Sequence, residues 1–407
     1  MRHSDRLFVL VSLLVAVQWI ILPGNSYAIP AFARRYNLSC STCHAPIPKL
    51  KPYGAEFAGN GFIIPENEKE RDYISAGDEL LWLNKSFPVA VRFDAYAVHR
   101  SKALVENDLQ SPWGIKLLSG GNLSRKIGYY FYFYMTERGE VSGIEDAYVH
   151  FDNVFGIPLD IMAGQFQTSD PLMKRELRLT YEDYQIYKQN IGFSRINLSY
   201  DRGLMFLYSL TATGTDLVLS LTNGNGKNMA NEETGAFDYD NNKNLGLRLH
   251  QEITDKMSLG GYYYYGAEMI YGEGVSFKNK VTYIGPDFNA TFGPFEFTGQ
   301  YLYRKDTNPW LTRSGSETKT NGAVIEAIFS PQLDRSRYYL IALYNGIHQE
   351  ASRSVGALHT TTSGTLYQTA TLGATYLVQR NLRLTLEYTR DLERKANRAV
   401  LGLVSGF

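Results

Sequence analysis

From about residue 86 to its last residue the chain repeats one pattern: stretches of roughly ten residues in apolar–polar alternation, each ended by a break. Val89, Val91, Phe93, Ala95 and Ala97 share one face, and Arg92, Asp94 and Tyr96 share the other. Leu245, Leu247 and Leu249 oppose Arg248 and His250. Leu382, Leu384, Leu386 and Tyr388 oppose Arg383, Thr385, Glu387 and Thr389. Successive side chains of a strand point to opposite sides, so a period of two means strands with one apolar face. Alternation alone does not say whether that face meets a protein core or lipid.

The connections decide between the two. Strands are expected near 86–99, 114–121, 125–136, 143–152, 158–167, 203–211, 215–223, 243–253, 257–267, 280–291, 294–304, 321–330, 336–345, 368–378, 381–391 and 397–407. Tight turns fall at Asn122–Ser124, Ala212–Gly214, Thr254–Lys256, around Gly293 and at Gln379–Arg380. Long loops at 168–202, 224–242, 305–320 and 346–367 lie on the opposite rim. Short turns on one rim, long loops on the other and an even strand number are the habit of outer-membrane barrels. Closure is also the only β-arrangement that leaves no unpaired edge in hydrocarbon. The expected fold is all-β: a transmembrane antiparallel barrel of about sixteen strands over 86–407, preceded by a short haem-binding segment argued below.

Aromatics support the barrel, with 30 Tyr against 4 Trp. Tyr129 to Tyr134 and Tyr262 to Tyr265 are runs suited to interfacial girdles. The chain closes on Ala399 to Phe407, and its terminal phenylalanine resembles the signal read by the outer-membrane assembly machinery; Ser405 stands where an aromatic is more usual. Residues 1–28 read as an export signal: Arg2, His3 and Arg6, an apolar run from Leu7 to Leu22, then Pro23-Gly24 and Ser26-Tyr27-Ala28 as a cleavage site. Lys plus Arg equals Asp plus Glu at 41 each, so no nucleic-acid partner is implied. The expected location is the outer membrane of a Gram-negative bacterium.

The two cysteines of the chain both fall in Cys40-Ser41-Thr42-Cys43-His44. Two thiols three positions apart followed by histidine are the attachment signature of one c-type haem, with His44 as proximal ligand of the iron. A disulfide over so short a loop would staple little. A zinc site would need a second cysteine pair, and a thioredoxin-type pair a βαβ context. Residues 29–85 form the expected head. Phe32, Tyr36, Tyr53, Phe57 and Phe62 offer apolar faces, Pro48 and Pro52 an extended path, and Gly54 and Gly61 close backbone approach. Arg34 and Arg35 are candidate propionate partners, or else a solvated basic pair. Residues 66–84 read as a short helix leading into the first strand.

The head contains no second histidine and no methionine, so a sixth iron ligand must come from the barrel. His150 is the candidate distal ligand; Met162 and His250 also point inward, His99 ends a strand, and His348 and His359 fall in a long loop.

Over about thirty residues the string Ile29-Pro30-Ala31-Phe32-Ala33-Arg34, the haem motif and Leu50-Lys51-Pro52-Tyr53-Gly54-Ala55-Glu56-Phe57 resembles the fused monohaem cytochrome–porins of the bacterial outer membrane, best known from iron oxidisers. Over the barrel the resemblance is architectural only. It implies electron transfer across the outer membrane, from extracellular Fe(II) or another redox donor to a periplasmic electron-carrier cytochrome. Any enzymatic activity would be Fe(II) oxidation. The alternative is a solute-diffusion porin whose haem segment is a plug or sensor, for which lumen charges such as Arg92, Asp94, Arg248, Arg383 and Glu387 serve equally well.

Overall fold

The computed structural model describes residues 31–64, 73–74, 77–78, 80–81, 83–84, 87–124, 126–169, 173–272, 275–310, 317–350 and 366–407. The expected export signal and His359 lie outside the described residues. Two short strands, β1 (Tyr73–Ile74) and β2 (Leu83–Asn84), pair antiparallel within the stretch 66–84 expected to be helical, of which 66–72 lie outside the described residues. Local helix propensity is a weak preference, and the Ile74–Leu83 pairing overrides it.

The barrel follows: β3 (Val89–Arg100), β4 (Asn107–Ser124), β5 (Ile127–Glu137), β6 (Gly143–Phe151), β7 (Leu159–Phe166), β8 (Asp201–Leu210), β9 (Thr215–Thr222), β10 (Asn244–Thr254), β11 (Met257–Gly272), β12 (Val275–Phe292), β13 (Phe295–Asp306), β14 (Thr318–Phe329), β15 (Tyr338–Gln349), β16 (Leu366–Gln379), β17 (Leu382–Asp391) and β18 (Ala396–Gly406). Each pairs antiparallel with its chain neighbours, and β18 pairs with β3, so all sixteen expected strands close one barrel. Strands β11 and β12 run on until Gly272 faces Val275, well past the expected ends, because alternation continues through inward Glu268 and Ile270 and outward Tyr271. His348 lies on β15 and faces out, not in a loop as expected.

The barrel is inside out relative to a soluble protein. On β17, Arg383, Thr385, Glu387 and Thr389 are buried while Leu384, Leu386 and Tyr388 are exposed; on β10, Arg248 is buried and Leu245, Leu247 and Leu249 are exposed. Polar groups inside and a continuous apolar surface outside make the lipid-facing arrangement of a membrane barrel. The aromatic runs split by the same rule. Tyr130, Tyr132 and Tyr134 point inward and are buried, while Tyr129, Phe131 and Phe133 point outward. Tyr262 and Tyr264 are buried, and Tyr263 and Tyr265 exposed. Only half of each run can therefore serve a girdle; the other half lines the lumen.

Phe407 completes the ring: its N–H donates to the Val91 carbonyl at 2.9 Å and its carbonyl accepts from the Val91 N–H at 2.6 Å, with the ring exposed. Deleting Phe407 removes both bonds and the terminal aromatic. The expected result is a several-fold lower yield in the outer-membrane fraction with export to the periplasm intact, read by immunoblot of the two fractions. Unchanged outer-membrane levels would contradict the role given to this terminus.

Candidate haem-binding head and lumen

The head begins with three short helices, α1 (Ala31–Tyr36), α2 (Cys40–Cys43) and α3 (Pro52–Gly59). Pro52 opens α3 rather than extending the chain, since its fixed φ and missing N–H suit a first helical position. Helix α2 is a single turn. Ser39 caps it by accepting from the Ser41 N–H, and the i, i+3 spacing turns Cys40 and Cys43 to one side. Both thiols are free and half-buried, and burial raises both above the ordinary thiol range. They are thus held as S–H groups, unlike the depressed thiolates of disulfide-exchange pairs.

After α2 the chain folds back on itself. His44 bridges Leu50, Lys51 N–H donates to the Cys43 carbonyl at 2.8 Å, and Ala45 N–H donates to Lys49 at 3.1 Å. This loop sets the imidazole: Nδ1 lies 3.1 Å from the Pro48 carbonyl oxygen and 3.3 Å from that of Lys49. Carbonyls only accept, so Nδ1 carries the proton and Nε2 keeps its lone pair. Burial lowers the pKa of the ring, with the two carbonyls opposing it, so the neutral form is favoured. A metal-ligating histidine is usually prepared in just this way. Helix α3 packs against α2 through Gly54, where an added Cβ would stand 2.4 Å from the Cys43 carbonyl oxygen.

Phe32, Tyr36, Phe57 and Phe62 form the expected aromatic sleeve. Phe32 stacks on Phe62 at 4.8 Å, Phe57 meets Phe32 edge-on at 5.4 Å, and Tyr36 meets Phe57 at 5.6 Å. Tyr53, one turn before Phe57 on α3, does not join them and is exposed. The sleeve continues into the barrel wall, Phe62 stacking on Tyr130 at 4.8 Å. Polar ties hold the head at the short-turn rim: Lys49 to Glu296 and Lys51 to Asp334, each at 2.6 Å. Arg34 donates to the Val89 carbonyl and Arg35 to Asn122. The two arginines are therefore anchors to the wall in this structure. Lys49 and Lys51 were not anticipated, since their partners are more than two hundred residues away.

Between head, wall and the loop after β7 lies a cavity of about 1110 Å³, lined by Cys40, Cys43, His44, Phe32, Phe57, Met162, Met205 and His250 among others. Its size lies just above the usual range of ligand pockets, about 300–1,000 Å³. Two thiols, a prepared imidazole and an aromatic lining fit a c-type haem. Met162 and Met205 are register partners on β7 and β8 and both are buried. Met205 was missed, although alternation with Gly203 and Leu207 marks it as inward. His150 is only 1% exposed but lies outside this lining, beneath Gly61. His250 sits 3.2 Å from Asp216, and His99 is exposed and bonded to Asn107.

The loop at 173–200 folds inward and roofs the cavity. Leu179, Tyr184, Ile186, Tyr187, Ile196 and Leu198 are buried. Tyr184 donates to Glu326 at 3.0 Å and Tyr187 to Gln300, on one wall. Glu387, on another wall, accepts from the Tyr181 and Glu182 N–H groups, and Lys116 lies 3.3 Å from Glu176. Burial opposes ionisation of Glu176 and Asp183, yet the neighbouring cations hold both carboxyls well below the ordinary range. For Glu176 these are Lys116, Arg178 and Arg175; for Asp183 they are Arg178, Arg175 and Lys188.

Among the described residues no helix is long and apolar enough to cross a membrane. No family model and no curated protein matches the chain. Solved structures do. The outer membrane channel DcaP of Acinetobacter baumannii is 14% identical with a TM-score of 0.55, over 79% of this chain and 97% of that one. An anion-selective porin from Comamonas acidovorans is 11% identical with a TM-score of 0.54, over 79% and 99%. A loop-deletion mutant of OmpT from Vibrio cholerae is 9% identical with a TM-score of 0.54, over the same shares. Identities this low speak to fold alone: the chain resembles the outer-membrane porins of Gram-negative bacteria.

Proposed function

We propose that the protein is an outer-membrane c-type cytochrome–porin that moves electrons across the outer membrane, from extracellular Fe(II) to a periplasmic cytochrome. The observation that carries this reading is the preparation of His44, its Nδ1 bonded to two carbonyls beside two protonated thiols on an apolar cavity. Each thiol would hold the haem through a thioether, formed by adding S–H across a vinyl group, which needs no oxidant and releases nothing. When bound, the haem supplies reversible one-electron exchange at iron. Cys40 and Cys43 would fix its edge, His44 would hold the iron, and the Phe32–Phe57–Phe62 sleeve would keep water from its face. A head tied into the short-turn mouth of the barrel, its cavity reaching the inward side chains of the wall, also shortens the path through a hydrocarbon layer about 30 Å thick. The inward-folded loop favours this reading over open solute diffusion, since it occupies the lumen above the head.

The test is a reduced-minus-oxidised visible spectrum of the purified protein, followed by Fe(II) titration. A c-type α-band that grows stoichiometrically with Fe(II) is expected. A protein without haem, or with haem that neither Fe(II) nor a mild chemical reductant reduces, overturns the proposal.

A further inference from the structure

The geometry points to a second site, separate from the haem cavity: His150, Asp152 and Asp160 together bind a divalent first-row transition-metal cation. His150 and Asp152 stand two residues apart at the end of β6 and face the same side. The ladder pairs His150 with Met162 and Phe151 with Ile161, so one further step sets Asp152 across from Asp160. One ligand atom from each of the three lies within 4.8 Å of the others.

Independent of that clustering, the imidazole is 1% exposed and, among the described residues, neither ring nitrogen has a hydrogen-bond partner. Its Nε2 lies 3.3 Å from Asp160 Oδ2 without hydrogen-bond geometry. Buried nitrogens left unpaired are costly, and a cation between Nε2 and the carboxylates would satisfy one of them. The carboxylates are already oriented. Asn153 donates its N–H to Asp160 Oδ1 at 2.8 Å and its side-chain amide to Asp152 Oδ1 at 2.9 Å, leaving the second oxygen of each for a ligand. Such outer partners fix first-shell ligands in established metal sites. Among the described residues neither aspartate has a Lys or Arg ion-pair partner, so the two carboxylates face one another beside the imidazole.

One imidazole nitrogen with two carboxylate oxygens suits Zn²⁺, Mn²⁺, Fe²⁺ or Co²⁺ better than Ca²⁺ or Mg²⁺, which take oxygen sets. Three protein ligands leave the remaining positions to water, and both aspartates are partly exposed, which provides entry. Gly61 closes the other side. A Cβ there would stand 3.2 Å from His150 Cδ2, and φ of +67° suits glycine.

The test uses full-length protein in detergent, stripped with a chelator, dialysed and titrated with Zn²⁺ by calorimetry. One Zn²⁺ per chain is expected at this site, with Ca²⁺ binding far more weakly. His150→Ala and, separately, Asp160→Asn should each weaken that Zn²⁺ binding by about tenfold or more. His44→Ala should leave it unchanged, which separates this site from the haem histidine. Heat-modifiable migration on gels confirms that each variant barrel is folded; should His150→Ala fail this check, Asp152→Asn takes its place. Zn²⁺ affinity unchanged in a folded His150 or Asp152 variant overturns the proposal, as does Ca²⁺ binding as tight as Zn²⁺ or no binding at millimolar Zn²⁺.

Discussion

Replacing Cys40 and Cys43 together by serine is expected to abolish covalent haem attachment while the barrel still inserts at its normal level. The two thiols are free, sit on a one-turn helix at the rim and take part in no barrel pairing. The head is tied to the wall through other groups, Arg34, Lys49 and Lys51, which serine leaves in place. Either single variant retains one possible thioether and should show reduced attachment. The check is haem staining on a denaturing gel beside an outer-membrane immunoblot. Haem that stays with the double variant after denaturation would refute covalent attachment at these positions. Loss of the barrel itself would refute the independence of head and wall.

The second large effect concerns the loop that roofs the cavity. Deleting residues 175–198 should raise single-channel conductance in planar bilayers several-fold above a low wild-type value. That segment supplies the side chains that reach opposite walls: Glu176 toward Lys116, Tyr184 to Glu326, Tyr187 to Gln300 and the Tyr181–Glu182 backbone to Glu387. An interior of this strand number is otherwise wide enough for an aqueous channel. A wild-type protein with a large open current would instead favour the diffusion-porin reading.

Acid should not release the contacts of Glu176 and Asp183 until well below ordinary carboxylate titration. Glu176 and Asp183 are depressed in the folded protein relative to ordinary values of 4.5 and 3.8. A depressed carboxylate contributes stability that is fully present above its unfolded pKa and is lost as pH falls through its folded pKa. The grip of these two carboxylates on the loop is therefore expected to hold from pH 7 to about 4, so that Glu176→Gln raises conductance by the same factor throughout that range. A Glu176→Gln effect that fades between pH 7 and about 5 would contradict the charge network described.

The strands were legible in the sequence because a strand's side chains alternate whatever the tertiary context. Leu382 to Thr389 shows both faces by inspection, and the structure exposes and buries them as that pattern requires. The rim bearing the long loops was legible too, since turn length is a local property. The candidate site was legible as chemistry: the spacing of Cys40, Cys43 and His44 raises the expectation of a c-type haem. Where alternation met another expectation, alternation prevailed. The Tyr129–Tyr134 run was read as a girdle, but period two sends Tyr130, Tyr132 and Tyr134 into the lumen.

Pairings across long sequence separations were not legible. Lys49 finds Glu296, Arg35 finds Asn122, and Glu387 accepts from the backbone of the loop. Such contacts follow from closure of the ring, which brings strands distant in sequence around a common lumen. His150 shows the limit most plainly. Alternation alone makes it equivalent to Met162, since both point inward from neighbouring strands. Only the seating of the head separates them, because Gly61 covers one and the cavity opens on the other. Side-chain direction is set by the strand's own geometry, whereas what a side chain meets there is set by everything else packed into the same space.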